Sequence, residues 1–263
     1  MPQSLSAKRR LAFFLPNSFT ALNMGCGFLS ILLAINGLFY EACLVLILGA
    51  VFDMVDGRIA RVTGTQSAFG EQFDSLSDLI SFGVAPAFIF YLRFFDEMDR
   101  LGIVVSFIFL LCGALRLARF NANIERVNPA FFQGLPIPSG ALALIGLVLL
   151  STYYEWIGSF KYLAAVYAVF YGMLMISNIP FNSFKSSPFV KKYKKFILFG
   201  MFILTAITFL HEQIMIFFNI TVYVVGSLIY FSTHKKVMAN IFDWVEAEDD
   251  IKDGHKEDIE IKD

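Results

Sequence analysis

The sequence predicts an all-α, polytopic membrane protein with about eight transmembrane helices, preceded by a short amphipathic N-terminal segment. Of the 263 residues, 57% are hydrophobic and only 16% are charged, whereas soluble domains usually carry about 25% charged residues. The apolar residues form runs of about 20, which is the length that crosses a bilayer as a helix. Lysine and arginine are concentrated in alternate connections between these runs, as the positive-inside rule describes.

Turn-forming residues divide the apolar runs into spans. Gly37 and the polar "GTQS" at 64–67 mark tight connections, and Pro136 and Pro138 mark the entry to the fifth span. The seventh span is short, so we expect it to be tilted or partly interfacial. The predicted spans are 18–36, 38–60, 71–93, 101–120, 136–155, 160–180, 196–211 and 214–232.

Three regions of different composition follow from this division. Residues 1–17 are basic with a short apolar stretch, which predicts an amphipathic segment on the membrane surface. Residues 18–235 form the transmembrane domain. Residues 236–263 form an acidic tail with few apolar side chains, which we expect to be disordered and solvated.

The positions of the basic residues predict the topology. If the N-terminus is cytoplasmic and there are eight spans, the cytoplasmic side receives all 21 Lys and Arg residues except Arg93, Arg100 and Lys161. Both termini are then cytoplasmic. The net charge of −1 gives no indication that the protein binds nucleic acid.

Four aspartates stand at the edge of the apolar runs, in "DMVDGRIARVTGTQSAFGEQFDSLSD" at 53–78. Asp53 and Asp56 are three residues apart, and Asp74 and Asp78 are four apart, so each pair shares one face of a helix. The polar break between the pairs allows the two helices to run antiparallel and bring the carboxylates together. Oxygen ligands without a nearby histidine favour Mg²⁺, Mn²⁺ or Ca²⁺ over zinc, and pairs of such cations commonly act on phosphates.

The residues between the aspartates suit a phosphate ligand. Gly57 and Ala60 are small enough for a bulky group to approach the backbone, and Arg61 offers a planar set of donors. Gly70 opens the next helix, whose N-terminal end favours anions. Salt bridges from Arg58 and Arg61 to the aspartates are the alternative, but two arginines cannot neutralise four carboxylates.

The fixed positions of this segment resemble the signature of the CDP-alcohol phosphotransferases: Asp53-x2-Asp56-Gly57-x2-Ala60-Arg61-x8-Gly70-x3-Asp74-x3-Asp78. The resemblance implies a membrane enzyme that uses two divalent cations, Mg²⁺ or Mn²⁺, to displace CMP from a CDP-linked donor with an alcohol. It implies that Asp78 is the general base and also touches a metal. The metal ligands implied are Asp53, Asp56, Asp74 and Asp78, and the implied CDP-binding residues are Asn17, Thr20, Gly57, Ala60, Arg61, Ser67 and Gly70.

Four further stretches resemble one branch of that family, the membrane-embedded bacterial-type phosphatidylserine synthases. They are "PNSFTALNMGCGFLSI" (16–31), "LRLARFN" (115–121), "FQGLPIPSGA" (132–141) and "MISNIPFNSFK" (175–185). With the aspartate segment, the likeness covers about residues 10–235. It implies phosphatidylserine synthesis from CDP-diacylglycerol and L-serine, a homodimer, and a bacterial-type cytoplasmic (inner) membrane location with the active site facing the cytoplasm.

The acceptor is less well determined by the residues. Serine has a carboxylate that suits arginine, and Arg116, Arg119 and Asn121 lie at the cytoplasmic end of the fourth span, which makes them candidate acceptor-binding residues. Glycerol 3-phosphate would need cationic partners too, so a phosphatidylglycerophosphate synthase or a related transferase is an alternative. These arginines would equally satisfy the positive-inside rule or bind lipid phosphate.

A divalent-cation transporter is the alternative from a different class of protein. A transporter needs carboxylates near the middle of its spans. Here the aspartates lie at the predicted cytoplasmic edge, with Gly, Ala and Arg at fixed offsets that ion transport does not require.

Overall fold

In the computed structural model, the described residues are 7–65, 67–122, 131–182, 200, 203, 206–208 and 210–233. They fold as an all-α protein with one short β pairing. The α-helices are α1 (Ala7–Ile35), α2 (Phe39–Thr63), α3 (Ala68–Asp78), α4 (Ala85–Phe90), α5 (Asp99–Ala122), α6 (Ile137–Tyr153), α7 (Lys161–Ile176) and α8 (Glu212–Thr233). The π-helical turns are Leu79–Val84 and Tyr91–Phe95, a 3₁₀ turn covers Glu155–Ser159, and the strands are β1 (Phe131–Gln133) and β2 (Pro180–Asn182). The chain divides into two compact units, 1–221 and 222–263.

Apolar helices of membrane-spanning length make this an integral membrane protein. Within the described residues, four helical segments are long and apolar enough to cross a bilayer: Phe14–Ile35, Ala68–Phe95, Asp99–Ala122 and Glu212–Thr233. Helices α6 and α7 are apolar but shorter.

Seven of the eight predicted spans coincide with helices or helical segments in the described part of the chain. Most of the predicted span 196–211 lies outside the described residues, so the number eight stays a prediction. The tail 236–263 also lies outside them. At the N-terminus, α1 runs through Pro16 without ending, so the predicted boundary between residues 17 and 18 is not marked by a helix end. The domain boundaries stay predictions.

Helices α1 and α2 form a tight hairpin around Gly37. This glycine has a φ of 78°, a conformation that residues with a Cβ rarely adopt. Farther along the hairpin, a Cβ on Gly49 would lie 3.0 Å from the Cβ of Cys26. Small residues at such positions let membrane helices approach closely, and here they bring the two predicted substrate-binding helices side by side.

The predicted break between the aspartate pairs is confirmed. Helix α2 ends at Thr63, and Gly64 adopts the left-handed conformation with a φ of 64°. Ser67 then caps α3 by accepting a hydrogen bond of 3.1 Å from the backbone N–H of Gly70. After Asp78, the last residue of α3, the chain continues as a π-helical turn and then as α4. Such π turns are often found at functional sites.

The segments that join α5 to α6 and follow α7 are held together by the short β pairing. Strands β1 and β2 are antiparallel, with Phe132 opposite Phe181. As predicted, Pro136 and Pro138 stand at the entry to α6. Gly134, with a φ of 75°, packs so closely that an added Cβ would lie 2.3 Å from the carbonyl oxygen of Met175.

The connection between Tyr91–Phe95 and α5 forms an ion pair with the start of α7. Glu97 pairs with Lys161, and this ammonium group lowers the pKa of the Glu97 carboxyl below its ordinary value. Lys161 and Arg93 are two of the three basic residues that the topology prediction places on the non-cytoplasmic side.

Candidate active site

The structure brings the four aspartates together where α2 and α3 face each other. Oxygen atoms of Asp53, Asp56 and Asp74 all lie within 4.8 Å of one another. Asp78, four residues after Asp74, is close enough to Asp53 and Asp74 to interact with them electrostatically. The carboxylates of α2 and α3 that the sequence spacing predicted to meet are therefore close together in a compact cluster.

Arginines do not neutralise this cluster within the described residues. No Lys or Arg there lies within 4.0 Å of any of the four carboxylates. Arg61 instead donates from Nε to the carbonyl oxygen of Gly57, at 2.8 Å. The alternative that the aspartates serve only as salt-bridge partners of Arg58 and Arg61 therefore finds no support.

Two oxygens of the cluster are buried without a hydrogen-bond partner in the described part of the protein. They are Oδ1 of Asp74 and Oδ1 of Asp78. A buried carboxylate oxygen is costly unless a hydrogen bond or a cation compensates it. Since oxygen-only donors are the ligands that Mg²⁺ and Mn²⁺ prefer, the cluster is chemically suited to hold such cations.

A cavity of about 240 Å³ opens beside the cluster. All seven residues predicted to bind CDP line it, together with two of the aspartates and three residues that the sequence did not single out. The lining residues are Pro16, Asn17, Thr20, Asp56, Gly57, Ala60, Arg61, Thr65, Ser67, Gly70, Glu71 and Asp74. Helix α1, the end of α2 and the start of α3 thus form one concave surface next to the carboxylates.

Glycines keep this cavity open. A Cβ added to Gly57 would have one neighbour within 4 Å, Nη2 of Arg61 at 3.9 Å. At Gly70 an added Cβ would lie 3.3 Å from Oγ of Ser67 and 3.5 Å from Oδ1 of Asn17. A ligand can therefore approach the backbone at both positions, one of which belongs to the N-terminal turn of α3.

Hydroxyl groups tie α1 to the helices that carry the aspartates. The buried Thr20 donates from Oγ1 to Oδ2 of Asp56 at 2.8 Å. Ser77 donates to the carbonyl oxygen of Thr20 at 3.0 Å, and Ser81 donates to that of Asn23 at 2.9 Å. Neither serine was predicted as a site residue from the sequence, although their spacing of four residues beside Asp74 and Asp78 places them along one helix face.

The three candidate acceptor residues have different surroundings. Arg116 is buried, its Nε has no partner among the described residues, and its guanidinium lies 5.6 Å from the ring centre of Phe120. It is close enough to Asp78 to interact with it electrostatically. On the next turn of α5, Asn121 donates to Oγ of Ser75 at 2.9 Å.

The guanidinium of Arg119 is already hydrogen-bonded to other groups of the protein. Its guanidinium donates to five oxygen atoms at 3.0 to 3.3 Å, which belong to the carbonyls of Gln133, Met175, Ile176 and Ser177 and to the side chain of Asn178. These contacts join the end of α5 to the segments on either side of the β pairing. The geometry gives Arg119 a structural role, and its predicted contact with the acceptor stays a prediction.

Comparison with known proteins agrees with this site. Residues 13–225 match the family model described as CDP-alcohol phosphatidyltransferase. The chain belongs to this family. The membrane transferase that the aspartate signature predicted is therefore confirmed, because the matched range contains all four aspartates and every residue that lines the cavity.

Members of the CDP-alcohol phosphatidyltransferase family with similar sequences include bacterial and archaeal proteins. A CDP-diacylglycerol–serine O-phosphatidyltransferase of Helicobacter pylori is 40% identical over 192 residues, which cover 73% of this chain and 80% of the relative. A protein of the same name from Methanocaldococcus jannaschii is 42% identical over 171 residues, covering 65% and 75%. The archaetidylserine synthase of Methanothermobacter thermautotrophicus is 40% identical over 169 residues, covering 64% and 69%.

Proposed function

We propose that this protein synthesises phosphatidylserine by transferring the phosphatidyl group of CDP-diacylglycerol to the hydroxyl of L-serine, with release of CMP. The observation that carries the proposal is the cavity in which the predicted CDP-binding residues adjoin the aspartate cluster. The relatives described above are named for transfer to serine, which supports this acceptor over glycerol 3-phosphate.

In this proposal Asp53, Asp56, Asp74 and Asp78 hold two divalent cations, Mg²⁺ or Mn²⁺. When bound, such cations polarise the phosphorus under attack and stabilise the charge of the departing phosphate. The buried and unpartnered Oδ1 atoms of Asp74 and Asp78 support this assignment. Thr20 orients Asp56 through its hydrogen bond of 2.8 Å.

The CDP group occupies the adjoining cavity. Arg61 faces the phosphates with the guanidinium nitrogens that it does not use for Gly57. The N-terminal turn of α3, from Ser67 to Gly70, contributes backbone N–H groups and the positive end of the helix dipole. Gly57 and Ala60 leave room for the diphosphate, and Asn17 and Thr20 contact the cytidine side from α1.

Asp78 acts as the general base. As the serine hydroxyl oxygen forms its bond to phosphorus, the bond from phosphorus to the CMP oxygen breaks, and the hydroxyl proton passes to the carboxylate of Asp78. CMP leaves with the electron pair of the broken bond. Arg116, which is buried and near Asp78, would bind the serine carboxylate, with Asn121 beside it.

The proposal includes the orientation and assembly that the sequence predicted. The site faces the cytoplasm from a bacterial-type inner membrane, both termini are cytoplasmic, the chain has about eight spans, and it forms a homodimer. A cytoplasmic site suits the substrates, because the CDP group and serine are water-soluble while the acyl chains of the donor remain in the bilayer.

The test is the release of CMP by the purified protein. CDP-diacylglycerol is supplied with Mg²⁺ or Mn²⁺, and serine or glycerol 3-phosphate is offered in turn. We expect metal-dependent release with serine, and a phosphatidylserine product identified by mass spectrometry. Faster release with glycerol 3-phosphate would assign the protein to phosphatidylglycerophosphate synthesis, and no release with any acceptor would contradict the transferase assignment.

A further inference from the structure

The carboxamide of Asn23 on α1 has no part in the chemistry described so far. The residue is completely buried, with 0% of its surface exposed, and neither Oδ1 nor Nδ2 has a hydrogen-bond partner among the described residues. Burying a carboxamide without partners is costly, so such a group needs a ligand or a functional contact that compensates it. Asn23 does not line the cavity beside the aspartates, which separates it from the residues proposed to bind CDP.

Contacts between α1 and α2 place Asn23 at the level of Asp53. Thr20, three residues before Asn23, donates to the carboxylate of Asp56. One step along the same interface, a Cβ added to Gly49 would lie 3.1 Å from Oδ1 of Asn23. Asp53 lies between Asp56 and Gly49 on α2, three residues from one and four from the other, and shares their helix face. Asn23 and Asp53 therefore face the same section of the interface between the two helices.

Contacts between α1 and the helical segment that carries Asp78 give the same level for that aspartate. Ser77 donates to the carbonyl oxygen of Thr20, and Ser81 donates to that of Asn23 at 2.9 Å. Asp78 follows Ser77 directly and comes three residues before Ser81, so it lies between these two contacts. The Cα–Cβ bond of a helical residue tilts toward the N-terminus of its helix, which directs Asn23 from the level of Ser81 toward that of Asp78.

The two polar atoms of the carboxamide need different partners. A cation or a donor can compensate Oδ1, but Nδ2 is a donor and needs an acceptor. The carboxylates of Asp53 and Asp78 are acceptors at this level, and Nδ2 has two hydrogens to offer. Residues that bind metal ions in proteins are commonly oriented by hydrogen bonds from neighbours that do not touch the metal themselves.

We propose that Asn23 is a positioning residue of the cation site, whose Nδ2 donates hydrogen bonds to the carboxylates of Asp53 and Asp78 when the cations are bound. This inference rests on the proposed function, since the cations are assigned to these aspartates there. The carboxamide is neutral, so it can orient the two carboxylates without removing the negative charge that attracts the cations. The hydrogen bond from Ser81 to the backbone of Asn23 holds α1 in place for this contact.

The test compares two measurements on the full chain in detergent: Mn²⁺ binding, followed by electron paramagnetic resonance, and the unfolding temperature in EDTA. Asn23→Leu replaces the carboxamide by an apolar group of similar size. We expect its Mn²⁺ affinity to fall about 10- to 100-fold, which is typical when a residue that orients a metal ligand is lost. Its unfolding temperature in EDTA should not fall, because the carboxamide has no hydrogen bond to lose among the described residues.

Further variants separate the carboxamide from other effects. Asn23→Ser keeps the test informative if leucine does not fit. Its hydroxyl should bond to a carbonyl of its own helix, as Ser30 does to Gly27 at 2.7 Å, so the Mn²⁺ affinity should fall here too. Asn23→Asp keeps an oxygen, loses the donor and should also bind Mn²⁺ more weakly. Ser30→Ala is the control, because Ser30 is buried on the same helix, seven residues after Asn23, and should keep the wild-type affinity.

Three results would overturn the inference. The first is wild-type Mn²⁺ affinity in both Asn23→Leu and Asn23→Ser. The second is a larger fall in unfolding temperature in both variants than Ser30→Ala shows, because the carboxamide would then be needed for the fold itself. The third is Mn²⁺ affinity at or above the wild-type value in Asn23→Asp, because position 23 would then provide a cation ligand and not a donor.

This experiment requires neither CDP-diacylglycerol nor serine. If the protein transfers nothing to serine but Asn23→Leu weakens Mn²⁺ binding at unchanged stability, the proposed function fails and the positioning role stands. If transfer to serine proceeds and Mn²⁺ affinity does not depend on Asn23, the positioning role fails and the proposed function stands.

Discussion

Thr20 on α1 donates a hydrogen bond of 2.8 Å to the carboxylate of Asp56 on α2. Both side chains are buried, and both line the cavity. The contact connects the helix that would hold the cytidine to the helix that would hold the cations. A buried hydrogen bond to a charged group stabilises by about 1.5–3 kcal/mol, so its loss should be measurable.

We expect Thr20→Val to lower activity about 10-fold or more and to raise the Mn²⁺ concentration needed for half-maximal activity, because Asp56 would lose its orienting donor. Thr20→Ser retains the hydroxyl and should restore most of the activity. The measurement is CMP release as a function of Mn²⁺ concentration. Ser18→Ala serves as the control, since Ser18 is exposed on the same helix and donates to the carbonyl oxygen of Phe14. Equal behaviour of Thr20→Val and the wild type would contradict this role.

Asp53→Asn and Asp74→Asn should each reduce transfer by at least about 1,000-fold, because removal of a ligand charge disrupts cation binding at a site that acts by charge stabilisation. Titration with Mn²⁺, followed by electron paramagnetic resonance, should show weaker binding in both variants. Glu97→Gln is the matched control, because this acid pairs with Lys161 outside the cluster. Unchanged Mn²⁺ binding in either aspartate variant would remove that residue from the ligand set.

Asp78→Asn should abolish transfer and still bind CDP-diacylglycerol. The amide cannot take the serine proton, whereas the cavity that holds the nucleotide does not include Asp78 among its lining residues. The measurements are CMP release and binding of the lipid donor to the same preparation. Full activity in Asp78→Asn would show that another group accepts the proton. Loss of donor binding together with weaker Mn²⁺ binding would indicate that Asp78 serves only as a metal ligand.

The carboxylate cluster could be predicted from the sequence because it depends on residues that are close together in the chain. The spacing of Asp53 and Asp56, the break at Gly64, and the spacing of Asp74 and Asp78 each depend on a few neighbouring residues. Helix geometry then determines which side chains share a face. Five of the seven residues predicted to bind CDP line the cavity for the same reason, since they lie on or beside α2 and α3, and the other two, Asn17 and Thr20, line it from α1.

Contacts between distant segments could not be predicted in this way. Ser77 bonds to Thr20 across 57 positions of the chain, and no periodic pattern marks such a pair. The residues of the π-helical turn after Asp78 also form no sequence pattern that would distinguish this turn from an α-helix. The partners of Arg119 come from two segments that meet only in the folded protein, so the sequence could not separate its surroundings from those of Arg116.

That difference in surroundings gives a prediction for the two arginines. Arg116 is buried, interacts electrostatically with Asp78 and has its Nε unpartnered among the described residues, whereas Arg119 is engaged by five oxygens of the protein. We expect Arg116→Lys to raise the KM for serine by about 10-fold or more and to leave the KM for CDP-diacylglycerol and the thermal unfolding temperature close to wild type. A lysine retains the charge but loses the planar pair of donors that suits a carboxylate.

Arg119→Lys should show the opposite pattern. A lysine has three donors for the five acceptors that Arg119 serves, so several of these part-buried carbonyls would lose their donor and the fold would lose stability. The unfolding temperature should fall, and the apparent KM values for both substrates should change together. Gly134→Ala offers a comparison that keeps both arginines, because its Cβ would lie 2.3 Å from the carbonyl oxygen of Met175 and 3.0 Å from Nη2 of Arg119 and should destabilise the same contacts. A selective rise in the KM for serine in Arg119→Lys, at unchanged stability, would instead assign this arginine to the acceptor site, as the sequence alone predicted.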